Sequence, residues 1–273
     1  MKLADALEMV IRTDPGKARS RNEDAVFADA GLGMAILADG MGGYNAGEVA
    51  SGMATMLLAS NFARYMPTHL LGTGAAGHLI EAEERLAYEV AVTNQAIYHA
   101  AQSQPQYAGM ATTLVIAWFY DNRLLVGHIG DSRLYRLRGE HFQQLTRDHS
   151  LLQEQLDSGM ISLADAHHSL HKNLVTRGLG VGPEVETEIH DYDVQAGDIV
   201  LLCSDGLTDM IEDAEIALVL QTLGQNLTLA ADHLVQLAND HGGRDNISVI
   251  LIKVVGEFSS PKGWWQKLLA RLK

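Results

Sequence analysis

Four aspartates stand at the ends of apolar, strand-like runs of this 273-residue chain. They are Asp39 after MAILA, Asp131 after LLVGHIG, Asp205 after IVLLCS and Asp245 before NISVILIKVV. One such aspartate is weak evidence, because Asp and Gly favour turns wherever strands end. The recurrence is more informative. Strands of one sheet place their ends close together, so we expect the four carboxylates to meet at one rim, joined by the acids of the segment Asn22-Glu23-Asp24.

Carboxylates that meet in this way repel one another, and their pKa values rise unless cations neutralise them. Oxygen donors suit Mg²⁺ or Mn²⁺, whereas zinc prefers Cys or His. The chain has no HExxH motif, and its single cysteine, Cys203, has no thiol partner. A carboxylate shared by two cations holds them roughly 4 Å apart and lets them activate a water, which suits phosphoryl chemistry. Arg19, five residues before Asp24, is either a surface arginine or the group that binds two phosphate oxygens with its planar guanidinium.

The elements that would position these acids follow from hydrophobic periodicity. Strand-like runs occur at 25–29, 33–38, 111–120, 123–130, 133–138, 198–203 and 246–255. Helical spacing covers 46–65, 78–103, 212–222 and 227–240. Tight turns between successive strands favour antiparallel pairing, and the helices are expected to cover the outer faces. The pattern predicts a layered α+β domain.

Two segments depart from this pattern. Residues 147–183 are rich in His, Gly and Asp and lack a long period, so we interpret them as a flap-like insertion in a single domain spanning 1–256. Residues 257–273 are predicted to form a separate, basic, amphipathic tail helix. The part from 259 onward, SSPKGWWQKLLARLK, carries four basic residues and no acid. Such a helix either packs on its own domain or docks on a partner protein or an anionic membrane surface.

Composition narrows the class of protein. The hydrophobic fraction of 47% and charged fraction of 20% are typical of a globular protein. A net charge of −14 argues against nucleic acid as a partner. No apolar run is long enough to cross a bilayer, and the start does not match a signal peptide. Together with the single cysteine, these features favour a cytoplasmic protein.

Seven segments together form a recognisable series. They are RSRNEDA (19–25), ILADGMGG (36–43), ATTLV (111–115), GDSRLYRL (130–137), TRDHS (146–150), SDGLTD (204–209) and GGRDNISVI (242–250). The series resembles the motifs of the metal-dependent serine/threonine protein phosphatases, type 2C, in their compact bacterial form. The resemblance implies a four-layer α-β-β-α sandwich of two antiparallel sheets flanked by helices, with two metals at one end. It also implies hydrolysis of phosphoserine and phosphothreonine by a water or hydroxide that bridges two Mn²⁺ or Mg²⁺ ions.

The resemblance assigns the principal metal ligands. Asp39 would bridge the two cations and Gly40 would offer its carbonyl oxygen. Asp205 and Asp245 would bind the cation on one side. The segment 147–183 corresponds to the flap near the substrate.

The same resemblance gives roles to the remaining site residues. Glu23 and Asp24 would bind or orient metal waters, and Asp24 would also position the nucleophile. Arg19 would bind the substrate phosphate. Asp131 and Asp209 match the place of a weaker, third metal. The implied partners are phosphorylated proteins, the substrates of a cognate Ser/Thr kinase.

One residue departs from many eukaryotic relatives, which carry a histidine proposed as general acid where this chain has Met41. Methionine cannot donate a proton, so the leaving-group proton must come from a water or another group. Two alternatives to the protein phosphatase stay open at this point. One is a catalytically weak phosphoprotein-binding regulator on the same fold, which should lack a metal acid. The other is a metal-dependent phosphoesterase acting on small phosphates.

Overall fold

A computed structural model describes residues 2–42, 46–69, 75–162 and 174–259. Eleven strands are found in these ranges: β1 (Leu7–Asp14), β2 (Asp24–Asp29), β3 (Met34–Met41), β4 (Ala111–Thr112), β5 (Leu114–Tyr120), β6 (Arg123–Ile129), β7 (Arg133–Arg138), β8 (His141–Gln144), β9 (Glu188–Asp193), β10 (Ile199–Cys203) and β11 (Ile247–Val254). The helices there are α1 (Leu3–Ala6), α2 (Ala46–His69), α3 (Ala75–Ser103), α4 (Leu151–Asp157), α5 (Asp205–Thr208), α6 (Asp213–Leu223) and α7 (Leu227–Asp240), with a 3-10 turn at Pro105–Tyr107.

The strands form two antiparallel sheets. One has the order β1-β11-β10-β7-β8, and the other has the order β2-β3-β5-β6-β9 with β4 beside β3. Tight turns with left-handed residues join neighbouring strands where the sequence predicted them. Asp121 and Asn122, for example, have φ values of 43° and 58° between β5 and β6. The chain crosses from the second sheet to the first at the connection between β6 and β7.

Three apolar layers hold the structure together. Leu37, Val126 and Ile250 belong to the layer between the two sheets. On the outer face of the second sheet α2 and α3 pack over the strands, with the rings of Phe62 and Trp118 at 5.0 Å. On the outer face of the first sheet α6 and α7 form the third layer. Because each sheet is covered on both faces, central strands such as β5 are continuously apolar rather than alternating. This is the predicted four-layer α-β-β-α sandwich.

The strands and helices predicted between residues 25 and 255 are all present, with their ends shifted by a few residues. The sequence analysis missed three strands, β1, β8 and β9, which lie at the sheet edges. Strand β9 has the sequence EIHDYD and buries little, so periodicity gives no signal for it. Segment 147–183 is also more regular than expected. It contains α4, whose N-cap Ser150 accepts a hydrogen bond from the Gln153 backbone N–H at 3.2 Å.

Part of the two exceptional segments falls outside the described residues. This holds for 163–173 of the flap-like segment and for 260–273, which contain most of the predicted tail helix. Within the described ranges, every helix is too short or too polar to cross a lipid bilayer.

Candidate metal centre

The predicted acids meet at one end of the sandwich, but they come from both sheets rather than from one. Asp24 and Asp39 face each other across β2 and β3 of the second sheet. Asp205 lies two residues after β10 and Asp245 two residues before β11, and both of these strands belong to the first sheet. Asp131 lies on the crossing between the sheets. The expectation of a rim formed by one sheet was therefore wrong, because the acids share one end of a two-sheet sandwich.

These strand ends surround a cavity of about 450 Å³. Seven of the nine predicted site residues line it: Arg19, Glu23, Asp39, Gly40, Asp131, Asp205 and Asp245. Met41, Gly42, Thr113, Leu174, Val175 and Asn246 complete the lining. Asp24 and Asp209 are not among the lining residues. Asp24 is the cross-strand partner of Asp39, and the Asp209 backbone N–H donates to the Asp205 carbonyl at 2.7 Å.

Burial and mutual repulsion dominate the electrostatics of the cavity. The pKa of Asp39 lies well above its usual range, first because the carboxyl is buried and then because Asp24, Asp205, Asp131 and Asp245 are close. Burial is also the main reason that the pKa of Asp24 rises to about 7 and that of Asp131 to about 6. The pKa of Asp205 is likewise raised well above its usual range.

The donor set fits hard divalent cations. One carboxylate oxygen of Asp24 and one of Asp205, Oδ1 in each, are buried without a hydrogen-bond partner. A buried carboxylate oxygen without a donor is costly, and a cation would satisfy it. Since the surrounding ligands are all oxygen atoms, the cavity suits Mn²⁺ or Mg²⁺.

Close packing explains the glycine after Asp39. A Cβ on Gly40 would lie 2.2 Å from the carbonyl oxygen of Gly47 in α2. The first turn of α2 therefore packs directly against the backbone at Gly40. The Gly40 N–H donates to the Glu23 carbonyl at 3.1 Å, and the Ser51 hydroxyl of α2 donates to the same oxygen at 2.5 Å. These contacts fix Glu23 and Gly40 relative to each other.

A neutral side chain that the sequence analysis did not single out, that of Thr113, holds Asp39, the predicted bridging ligand. Thr113 binds both backbone groups of Asp39: its hydroxyl oxygen accepts the Asp39 N–H at 3.0 Å, and its own N–H donates to the Asp39 carbonyl at 2.9 Å. The Thr113 hydroxyl also lies 2.7 Å from the Ser132 hydroxyl, next to Asp131. The motif ATTLV contained this residue, but spacing alone gave it no role.

Asn246 likewise holds backbone groups of the loop between β1 and β2, which carries Arg19 and Glu23. Its side-chain oxygen accepts the Glu23 N–H at 2.7 Å, and its amide donates to the carbonyls of Pro15 and Arg21 at 3.1 and 2.8 Å. Ser204 donates to Oδ2 of Asp24 at 2.9 Å. Both residues adjoin a predicted metal ligand in the sequence, which is the signal that could have found them.

Arg19 lies at the mouth of the cavity. Its Nη2 donates to Oδ2 of Asp245 at 2.6 Å, and 54% of its side chain is exposed. This hydrogen bond is the main reason that the pKa of Arg19 is raised. An exposed arginine paired with the carboxylate of Asp245, a predicted metal ligand, is free to exchange that carboxylate for a phosphate.

A second group, His128, His149 and Glu188, has ligand atoms within 4.8 Å of one another. Its hydrogen bonds argue against a metal there. The Gly130 N–H donates to His149 Nδ1 at 3.2 Å, so the ring proton resides on Nε2 and is donated to Glu188 at 3.0 Å. The His149 N–H also donates to the Gly130 carbonyl at 2.7 Å. His149 thus holds both polar groups of the residue before Asp131.

Comparison with known proteins identifies the family of this chain. The model of the protein phosphatase 2C family matches residues 17–238, and the chain therefore belongs to that family. It is 40% identical over 245 residues to the serine/threonine phosphatase stp of Listeria innocua, covering 89% of this chain and 94% of that protein.

Solved structures show the same fold. The phosphatase Stp1 of Staphylococcus aureus superposes with a TM-score of 0.83 at 33% identity, over 94% of this chain and 98% of that one. The catalytic domain of the phosphatase PstP, solved with two manganese ions, gives a TM-score of 0.78 at 37% identity, over 91% of this chain and 98% of that domain.

Proposed function

We propose that the chain is a metal-dependent protein serine/threonine phosphatase. The observation that carries the proposal is the convergence of Asp39, Asp131, Asp205 and Asp245 on one cavity with Arg19 at its mouth. An anionic cavity of this kind repels a phosphate unless cations are bound first. Relatives named serine/threonine phosphatase cover nearly the whole chain, which supports the same substrate class.

Asp39, Asp205, Asp245 and the Gly40 carbonyl would hold two cations, Mn²⁺ or Mg²⁺, and the two manganese ions of PstP support this number. Asp131 and Asp209 would hold a third. When bound, such cations act as Lewis acids and lower the pKa of water, which supplies the nucleophile.

The residues of the chain bind and orient the reactants. Arg19 would release Asp245 and bind two phosphate oxygens with its guanidinium, which holds the phosphorus in place. Glu23 would orient water in the cavity. Asp24, fixed through Oδ2 by Ser204, keeps Oδ1 free to orient the attacking water. Met41 lines the cavity but carries no proton, so water is the proposed donor to the leaving oxygen.

The proposed partners are phosphorylated proteins, substrates of a cognate Ser/Thr kinase in the cytoplasm. We further propose a catalytic domain over 1–256 and a basic tail that packs on its own domain or docks on a partner protein or an anionic membrane surface. Removal of 259–273 distinguishes the outcomes for the tail. Loss of binding to anionic vesicles or to a partner, with thermal stability unchanged, supports docking, whereas a lower Tm indicates packing on the domain itself.

One assay tests the proposed function against both alternatives. Purified protein is expected to hydrolyse p-nitrophenyl phosphate and a phosphothreonine peptide with Mn²⁺ or Mg²⁺, and to lose this activity in EDTA. Asp39→Asn serves as the inactive control. Binding of the phosphopeptide without turnover would favour the regulator, and faster hydrolysis of nucleotides than of the peptide would favour the small-phosphate esterase. Full activity after metal removal would overturn the metal-dependent mechanism.

A further inference from the structure

Three apolar side chains, those of Met41, Leu174 and Val175, line the cavity together with the acids. Val181 lies near Met41, beside Gly178. We refer to these four residues as the apolar rim. Leu174 is 50% exposed and Val181 is 67% exposed. Large aliphatic side chains grouped at the mouth of a polar cavity mark a binding surface more often than chance exposure does.

The backbone that carries Val181 is firmly held. Asn94, itself 1% exposed, accepts the Gly180 N–H at 2.8 Å and donates to the Gly182 carbonyl at 3.0 Å. Leu179 pairs with Thr112 through two backbone hydrogen bonds of 2.8 and 3.1 Å. Val181 therefore projects into solvent from a fixed position, and its exposure does not result from a loose loop.

Leu174 is fixed in a similar way. Its carbonyl accepts the Leu151 N–H at 2.9 Å, and Thr176 donates to the His149 carbonyl at 2.8 Å. Gly178 lies between Met41 and Val181. A methyl group placed there would lie 3.5 Å from Val181 Cγ2 and 3.6 Å from Met41 Cε, which is ordinary van der Waals contact.

We infer that the apolar rim binds a large aliphatic side chain of the substrate, one or two residues from the phosphorylated residue. The inference rests on the proposed function. Three of the four rim residues line the same cavity as Arg19 and the acids. An extended peptide advances roughly 3.3 Å per residue, so a neighbouring side chain reaches the rim while the phosphate occupies the proposed metal centre. Because rim and backbone are already ordered, binding loses little conformational freedom. An acidic neighbour would lose hydration there without gaining a cation.

The test uses phosphothreonine peptides in which one residue at a time is varied. Leu, Ala or Glu is placed one or two residues before the phosphothreonine, or one or two residues after it. The leucine peptide is expected to have a kcat/KM about tenfold above the alanine peptide at one of these positions. In Leu174→Ala and in Val181→Thr, which keeps the shape but replaces a methyl by a hydroxyl, this ratio should fall towards one. Each ratio is measured within one enzyme, so a general loss of activity cancels.

Leu229→Ala is the matched control, because Leu229 is also 50% exposed but lies on α7, outside the cavity. It should keep the ratio of the unaltered chain. Equal rates for leucine and alanine peptides, or an unchanged ratio in both rim variants, would overturn the inference. Dimerisation of the unaltered chain that Val181→Thr abolishes would also overturn it, because the rim would then be covered by a second copy of the chain. Failure to hydrolyse p-nitrophenyl phosphate with Mn²⁺ would instead refute the proposed function itself.

Discussion

Replacement of Asp131 by asparagine removes one carboxylate charge from the metal-free cavity and keeps the size of the side chain. Burial, followed by the charge of Asp148, raises the pKa of Asp131 from 3.8 to about 6 in the folded chain. The folded state therefore binds more protons than the unfolded state between these values. The stability supplied by the protonated carboxyl is present below pH 3.8 and is lost as the pH rises to about 6.

The size of this loss follows from the difference of about two pH units, which corresponds to roughly 3 kcal/mol. Asp131→Asn should therefore stabilise the metal-free chain by roughly 3 kcal/mol at pH 8 and by only about 1 kcal/mol at pH 4.5. For a domain of this size the gain at pH 8 raises Tm by about 6–12 °C.

Thermal unfolding in EDTA at the two pH values measures the effect. Asp29→Asn is the matched control, since it makes the same change at the exposed end of β2, where the side chain only accepts turn hydrogen bonds. Its Tm should change little at either pH. A destabilised Asp131→Asn variant at pH 8, or equal gains at pH 4.5 and pH 8, would refute the electrostatic reasoning. With Mn²⁺ present the advantage should shrink, because the cations neutralise the repulsion in the unaltered chain.

Three further substitutions test individual roles. Asp39→Asn should reduce the Mn²⁺-dependent rate on p-nitrophenyl phosphate by several orders of magnitude, because it weakens both cations at once; a rate within about tenfold of the unaltered chain would contradict a shared ligand. Arg19→Ala should mainly raise KM, and a fall in kcat at constant KM would show that the arginine acts in the transition state. His149→Ala should lower Tm by several degrees because the hydrogen bond from the Gly130 N–H to Nδ1 is lost, about 1–3 kcal/mol. His149→Asn, which keeps an acceptor, should recover part of this loss, and equal losses in the two variants would contradict the role.

The fold was predictable where burial is symmetric. Strands such as β5 and β10 are covered on both faces, so their sequences are continuous apolar runs that stand out from the rest of the chain. Edge strands lack this property. Strand β9 is held in the sheet by backbone pairing with β6. The side chains of β9 are mostly polar, so hydrophobic periodicity does not detect this strand.

The site was predictable where charge is concentrated. Aspartates at strand ends, such as Asp39 and Asp205, are conspicuous because they interrupt apolar sequence. The packing of the two sheets against each other was not predictable. It depends on where the chain crosses from one sheet to the other, at Gly130, and on how the two inner faces fit together. Thr113 and Asn246 were missed for a related reason. Their roles are hydrogen bonds to distant backbone groups, and those partners are brought together only by the complete fold.

The aspartates of the cavity are held in place by neutral residues, and this explains why their negative charge is not cancelled. If lysines or arginines held the aspartates in place, they would neutralise them and leave little attraction for cations. The chain uses neutral groups instead: Thr113 fixes the backbone of Asp39, and Ser204 fixes Asp24. Among the residues that line the cavity, Arg19 is the one cation. Its side chain is 54% exposed, which suits the proposed exchange of Asp245 for a phosphate. The repulsion that remains makes the metal-free chain less stable, and it is the same repulsion that favours binding of divalent cations.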